Sequence, residues 1–404
     1  MEKSPMLIAT GKLTQQSLAG RVTLVTGAGG GIGYEAARAL LWMGSRVIVA
    51  EIDPRTGKAA AEKLNSESGK GSTIFVQTDV GDERSVIRLA AEANRAFGKV
   101  DIVINNATIA PLGAVTELPI TDWDASYRVN LRGPVLLARA FLPGMITRRY
   151  GVFACISSVG MGYMAAYESV KAAQVHLANT LTAELEGTGV SAFTIGPGFV
   201  HTQTAHSAIP RLAKLMGKNP EEVFAAVKGA TLSVEAAGAG FAAAVVMAER
   251  YVGMEISASM ALIDAGIDVI GKPIEAEELS PEALAEIQVA AQRVFATLAE
   301  QSADWKRRSI FEQQWLARSF KQHAGRPVDQ WLDLLKKMID CTAQGDAAGV
   351  LALRAPLGQL GKFYFQLGES AKGFIKDPVQ REEHLAIVNG WVEECRRLEA
   401  LIKK

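Results

Sequence analysis

The stretch that decides the fold is TLVTGAGGGIGYEAARAL, Thr23 to Leu40. A run of β-branched and apolar residues gives way to five glycines in seven positions. A helical pattern with small apolar residues follows. Strand, glycine turn and helix in that order bring backbone N–H groups to the N-terminus of a helix, where its partial positive charge favours a pyrophosphate. Thr26, Gly27, Gly31, Ile32 and Gly33 are therefore candidate dinucleotide-binding positions. A glycine-rich turn alone is a weak signal, and its place between strand and helix strengthens it.

Working outward, the same alternation recurs. The runs RVTLVTG, RVIVAEID, STIFVQTDV, VDIVINNA, GVFACISS and VSAFTIGPG, all between Arg21 and Gly198, are separated by segments with apolar residues at three- and four-residue steps. Such a pattern predicts βαβ units and a parallel sheet buried on both faces. SASMALIDAG, Ser257 to Gly266, is read as a seventh strand. The expected fold is α/β, a doubly wound seven-stranded parallel sheet of the Rossmann type. The second strand ends at Glu51, 18 residues after Gly33. A carboxylate there can accept hydrogen bonds from ribose hydroxyls and would repel a 2′-phosphate, so NAD is expected over NADP, although Arg55 stands nearby.

The texture changes near Lys272. We divide the chain into an N-terminal arm (1–17), a catalytic and NAD-binding domain (18–271), a linker (272–279) and a helical appendage (280–404). Ser280 with Pro281 reads as a helix start. Leu284, Ile287, Ala291, Val294 and Leu298 then form one apolar stripe, Trp331, Leu334, Leu335 and Met338 a second, and Leu385, Val388, Val392 and Cys395 a third. An all-helical C-terminal domain is expected. Its clusters of bases and aromatics, such as WKRRSIFEQQW, read as packing faces. For its role we order a dimer or tetramer contact first, a wall over the active site second, and the docking of a separate partner third.

Composition narrows the function classes. Of 404 residues, Lys and Arg number 43 and so do Asp and Glu, which leaves no net charge to draw nucleic acid or an anionic membrane. Three cysteines, Cys155, Cys341 and Cys395, lack any CxxC spacing, and the five histidines lack a metal-ligand spacing. No metal is expected. The N-terminal residues lack the apolar core of a signal peptide, and no run approaches the roughly 18 apolar residues of a membrane span. A cytoplasmic enzyme acting on a small molecule, as a homodimer or homotetramer, is the expectation.

Further motifs follow the glycine turn in order: Asp79-Val80, Asn105-Asn106-Ala107, Asn130, Ser157-Ser158, Tyr167 with Lys171, and Pro197-Gly198 with Thr202. Each lies at a predicted strand end or on the helix after it. This ordered set, from Leu18 to about Gly271, resembles the short-chain dehydrogenases/reductases. The resemblance implies that Asp79 and Val80 hold an adenine, that Asn106 and Ala107 line the ribose side, and that Val200 and Thr202 bond a nicotinamide carboxamide past Pro197 and Gly198. It implies Ser158 as donor to the substrate oxygen and Asn130 as anchor of a water chain to Lys171. Thr108 stands where the family usually has glycine.

Tyr167 and Lys171 are one helical turn apart, so an ammonium at Lys171 can favour the Tyr167 phenolate and make it a base for an alcohol. The interval from Ser158 to Tyr167 is shorter than the family's. Because Ser157 and Ser158 directly follow the strand GVFACI, the loop is expected to absorb the difference, with Ser157 as the alternative to Ser158. Met161, Tyr163 and Met164 in that loop, with Ile209 and Leu212 in the amphipathic segment after Thr202, are the expected substrate pocket. It suits a bulky apolar, alicyclic, steroid-like or acyl-thioester compound. The predicted activity is NAD-dependent interconversion of a secondary alcohol and a ketone. The alternative is a catalytically weak NAD-binding scaffold or sensor acting through its helices.

Overall fold

The computed structural model describes residues 6–158, 160, 162–227, 231–267, 279–324, 326–346, 350, 357–374 and 377–403. It divides into two compact units, Met1–Val269 and Ile270–Lys404. Residues 272–278 of the expected linker lie outside the described residues.

In the first unit the strands are β1 (Val22–Thr26), β2 (Arg46–Glu51), β3 (Thr73–Gln77), β4 (Ile102–Asn105), β5 (Gly151–Ile156), β6 (Val190–Gly196), β7 (Phe199–Val200), β8 (Thr231–Leu232) and β9 (Glu255–Ser257). Seven form one parallel sheet in the order β3-β2-β1-β4-β5-β6-β9, and β7 pairs with β8 separately. The order reverses between β1 and β4, which opens a crevice at their C-terminal ends.

Alternate strand residues feed two cores, as the period of two requires. Val25 and Val49 pack with helices Gly31–Trp42, Val234–Val246 and Ala258–Asp264 on one face. Leu24 and Ile48 pack with helices Glu83–Phe97, Gly133–Thr147 and Ala165–Glu184 on the other. The abundance of small residues has a local cause. A Cβ at Gly238 would lie 2.5 Å from the Ala36 nitrogen, so the helices that carry these two residues approach to backbone contact.

The seventh strand is displaced from the position read in the sequence. Only Glu255–Ser257 extends β6, and Ala258–Asp264 is a helix. The Ser257 hydroxyl accepts the N–H of Met260 and caps it. Ala258, Ala261 and Leu262, at helical spacing, are buried, and alanine favours helix over strand.

The second unit has helices Pro281–Trp305, Ile310–Ala324, Val328–Ala343, Leu357–Phe374 and Pro378–Lys403. Its core gathers Leu284, Ile287, Val294, Trp331, Met338 and Val388, members of all three stripes. Ser280 caps the first of these helices through the Ala283 N–H. Among the described residues no helix is long and apolar enough to cross a membrane.

Candidate functional site

The crevice between β1 and β4 is laced shut at its base. The Thr26 hydroxyl accepts the N–H groups of Asn106 and Ala107, each at 3.0 Å, and the Asn106 amide donates back to the carbonyls of Thr26 at 2.9 Å and Gly27 at 3.1 Å. Asn106 and Thr26 thus brace the turn from inside. Gly27 has φ +65°, and a Cβ there would come within 2.9 Å of the Ala107 Cα. A Cβ at Gly33 would lie 2.5 Å from the Gly27 oxygen. Above this tight base the space is open: Gly30 has nothing within 4 Å of where its Cβ would stand, and Gly31 meets only Thr202 Cγ2 at 3.9 Å. No side chain caps the helix that begins at Gly31, so its first N–H groups are available to an anion. The Ile32 side chain packs against the core.

Glu51 ends β2 beside this turn. Its Oε2 accepts the Gly29 N–H at 3.1 Å, and its Oε1 accepts that of Ile52 at 2.8 Å. Arg55 is held by Asp53, 3.0 Å away. Asp79 is paired to Arg128 at 2.7 Å, and Val80 is buried beneath it. On the far side, Gly198 has φ +70°, Val200 is buried, and the Thr202 hydroxyl caps helix Gln203–Met216 through Ala205.

Ser158, Tyr167 and Lys171 converge at the end of β5. The Ser158 and Thr108 hydroxyls are near enough to the Tyr167 phenol to affect its ionisation, while their own hydrogen bonds go to Glu168 and Asn130. Ser157 is buried below. Lys171, 1% exposed, donates to the Ile156 carbonyl at 2.9 Å, and its Nζ lies 5.6 Å from the Tyr167 ring centroid. Burial lowers the Lys171 ammonium to about 8. The Glu168 charge opposes this, whereas burial holds the neighbouring Cys155 thiol at about 12 and therefore neutral. Burial also raises the Tyr167 phenol. Its Ser158 and Thr108 neighbours act to lower it, and the Glu168 charge adds to the rise.

Asn130 sits fully buried in a single π-helical turn, Arg128–Arg132. Its Oδ1 accepts from the Thr108 hydroxyl at 2.7 Å and the Ile109 N–H at 3.1 Å. Its Nδ2 donates to the Ile109 carbonyl at 2.7 Å and to Ser126 Oγ at 2.9 Å. Its main-chain carbonyl accepts from the Gln174 amide. Through these bonds Asn130 fixes the Thr108 hydroxyl and the Ile109 backbone.

Glu168 was not legible as a site residue. Beside Tyr167 on a helix it reads as a solvated charge, yet it accepts the Ser158 hydroxyl at 2.9 Å. A Cβ at Gly160 would lie 2.2 Å from its carboxyl carbon, so the shortened loop lies directly against it.

Of the expected pocket, Met161 lies outside the described residues. Tyr163 adopts φ +68° and is part-exposed, with its carbonyl accepting the Gly113 N–H. Met164, half-buried, joins a cluster with Leu112, Phe199 and Phe224, in which Ile209 and Leu212 are packed away at 3% and 5% exposure. His201 stacks on Phe224 with ring centroids 6.0 Å apart, and His206 lies beside both. Among the described residues no group of histidines, cysteines or carboxylates could hold a metal.

A doubly wound sheet with a glycine cradle at its switch point and a Ser-Tyr-Lys cluster on the same edge defines a Rossmann-type oxidoreductase. The short chain dehydrogenase family model matches residues 21–212. The chain is 35% identical over 196 residues to a short chain dehydrogenase of Pseudocercospora fijiensis, covering 47% of this chain and 62% of that one, so it spans less than two thirds of that relative. It is 33% identical over 195 residues to a D-threitol dehydrogenase of Mycolicibacterium smegmatis, covering 47% and 74%. A solved actinorhodin polyketide ketoreductase with NADPH superposes with TM-score 0.55 at 27% identity over 59% of this chain and 95% of that one. The chain belongs to the short chain dehydrogenase family.

Proposed function

We propose that the protein is an NAD-dependent oxidoreductase interconverting a secondary alcohol and a ketone, with Tyr167 as the acid or base. The observation that carries this reading is the convergence of Ser158, Tyr167 and Lys171 at the end of β5, on the edge of the sheet that also bears the open glycine cradle. The residues present fit a dinucleotide: Gly30 and Gly31 leave room for a pyrophosphate, the helix N-terminus has no side-chain cap, and Glu51 offers carboxylate oxygens to a ribose. Thr202, facing Gly31, and Val200 would border the nicotinamide end. The bound nicotinamide would supply or accept the hydride.

The chain's own residues handle the proton. Tyr167 exchanges it with the substrate oxygen, Ser158 sits beside that oxygen, and the Lys171 charge steadies the phenolate. The Glu51 carboxylate, with Arg55 tied to Asp53, supports NAD, although the solved ketoreductase carries NADPH. Met164, Phe199 and Phe224, all half-buried, support a bulky apolar substrate.

Absorbance of NADH, followed with a panel of secondary alcohols and ketones, tests the proposal. Turnover that survives Tyr167→Phe would overturn it. No turnover on any member of the panel would favour a dinucleotide-binding scaffold.

A further inference from the structure

One turn beyond Lys171, on the face of helix Ala165–Glu184 that carries Tyr167 and Lys171, stands Gln174. It is fully buried, so its amide must find partners within the protein. Its Nε2 donates to the main-chain carbonyl of Asn130, and its Oε1 accepts the Asn105 amide, at 3.4 Å, from the end of β4. The Asn130 carbonyl needs this donor for a reason written in the sequence. In an α-helix it would accept the N–H four residues on, and residue 134 is a proline, which has none. At the start of the same stretch, Ser126 is fully buried in helix Ile120–Tyr127. Its hydroxyl accepts from Asn130 Nδ2 at 2.9 Å and donates to the Ala166 carbonyl at 2.6 Å. Asn130 is thereby tied to the helix just before Tyr167 and just after Lys171. The two ties bracket about 12 Å of helix.

We infer that Ser126 and Gln174 are positioning residues, a two-point clamp through Asn130 that holds Tyr167 and Lys171 in place at the end of β5. This deepens the reading of Tyr167 as the acid or base and rests on it. The need arises at the start of the helix. Tyr167 is its third residue, no side chain caps that end, and the turns at a helix end fray first. A phenol held steady there requires fastening from outside, and the Ser126 bond supplies it one residue away, at Ala166. Gln174 fastens the following turns, so that Lys171 Nζ keeps its bond to the Ile156 carbonyl. Both ties end on the π-helical turn of Asn130, and the catalytic stretch and that turn therefore move as one body.

Backbone hydrogen exchange of the full chain tests the clamp without a substrate. Gln174→Met keeps the length of the side chain and removes the donor, and Ser126→Ala removes the hydroxyl. Each is expected to speed exchange of the amides from Tyr167 to Lys171 about tenfold, as the loss of one buried hydrogen bond does, while helix Gly31–Trp42 keeps its wild-type rates. Thr182→Val is the control. It removes a hydroxyl that ties the far half of the same helix to the Ala192 carbonyl at 3.1 Å, and it should leave the amides from Tyr167 to Lys171 unchanged. On a member of the panel that is turned over, kcat should fall about tenfold in both clamp variants with KM little changed.

Exchange left unmoved by one clamp variant would overturn the role of that residue, and exchange raised equally by Thr182→Val would overturn both roles. A KM that rises while kcat stays intact would do the same. If Ser126→Ala does not fold, the near-isosteric Gln174→Met makes the comparison on its own. Turnover surviving Tyr167→Phe would sink the functional reading without altering the exchange rates, so the two failures are separable.

Discussion

Gly29 donates its N–H to the Glu51 carboxylate across the mouth of the cradle, at 3.1 Å, and a Cβ on Gly29 would stand 2.7 Å from Glu51 Cγ. The turn and the end of β2 therefore hold one another. Glu51 Oε1 accepts the Ile52 and Asp53 N–H groups, so Oε2, with Gly29 as its one donor among the described residues, is the oxygen we assign to the ribose. A hydrogen bond to a charged acceptor contributes about 1.5–3 kcal/mol and one to a neutral acceptor about 0.5–1.5 kcal/mol, so neutralising the acceptor weakens the bond by about 1–1.5 kcal/mol. Glu51→Gln is expected to raise the KM for NAD about tenfold and to narrow the preference over NADP. Steady-state kinetics with both dinucleotides checks this, and an unchanged ratio would count against the assignment.

Gly33→Ala tests the base of the cradle. The added methyl would meet the Gly27 carbonyl, which is backbone and cannot rotate away. A loss of about 1–3 kcal/mol in urea denaturation is expected, together with weaker dinucleotide binding.

Lys171 gives a pH signature. Its folded pKa of about 8 lies below the ordinary lysine value of 10.5. Below about 8 the ammonium is protonated in both states, and burying it costs stability. Between about 8 and 10.5 the unfolded chain holds more protons, so the contribution of this residue to stability rises with pH, by up to about 3 kcal/mol. Lys171→Met should therefore gain on the wild type at pH about 7 and lose that advantage toward pH about 10. Denaturant melts of both proteins at the two pH values measure it; a difference that does not change with pH would contradict the buried ammonium.

Asn130→Ala would strip both the N–H and the carbonyl of Ile109, and the Thr108 hydroxyl, of their partner. A cost of about 3 kcal/mol is expected from the denaturation midpoint and slope. Turnover should fall with it, since Thr108 is no longer fixed.

In the helical unit, Trp331 is fully buried and its indole N–H donates to the Ala324 carbonyl at 2.9 Å. Trp331→Ala should cost about 3–5 kcal/mol, seen as early loss of helical circular dichroism.

Much of this was legible in the sequence because it depends on local pattern. The β-branched runs place six strands, and the apolar stripes at Leu284, Trp331 and Val388 mark helices whose cores close on one another. SASMALIDAG misleads because a short apolar run carries no clear period, and a serine cap three residues from Met260 outweighs it. The pairing of the Thr108 and Ser158 hydroxyls is beyond any local pattern. It depends on Thr108 reaching Asn130 over 22 positions and on Ser158 reaching Glu168 over 10. Glu168 stands next to Tyr167 in sequence, but its partner becomes visible only when the loop folds back over Gly160.

The displaced seventh strand matters for how the protein behaves in concentrated solution. The sheet ends on three residues, Glu255–Ser257, the first of them charged and exposed, before the chain turns into a capped helix. An edge so short offers too few free backbone groups to template a foreign strand, and its carboxylate repels a like neighbour. The helix that replaced the expected strand thus leaves this margin of the sheet guarded against edge-to-edge aggregation.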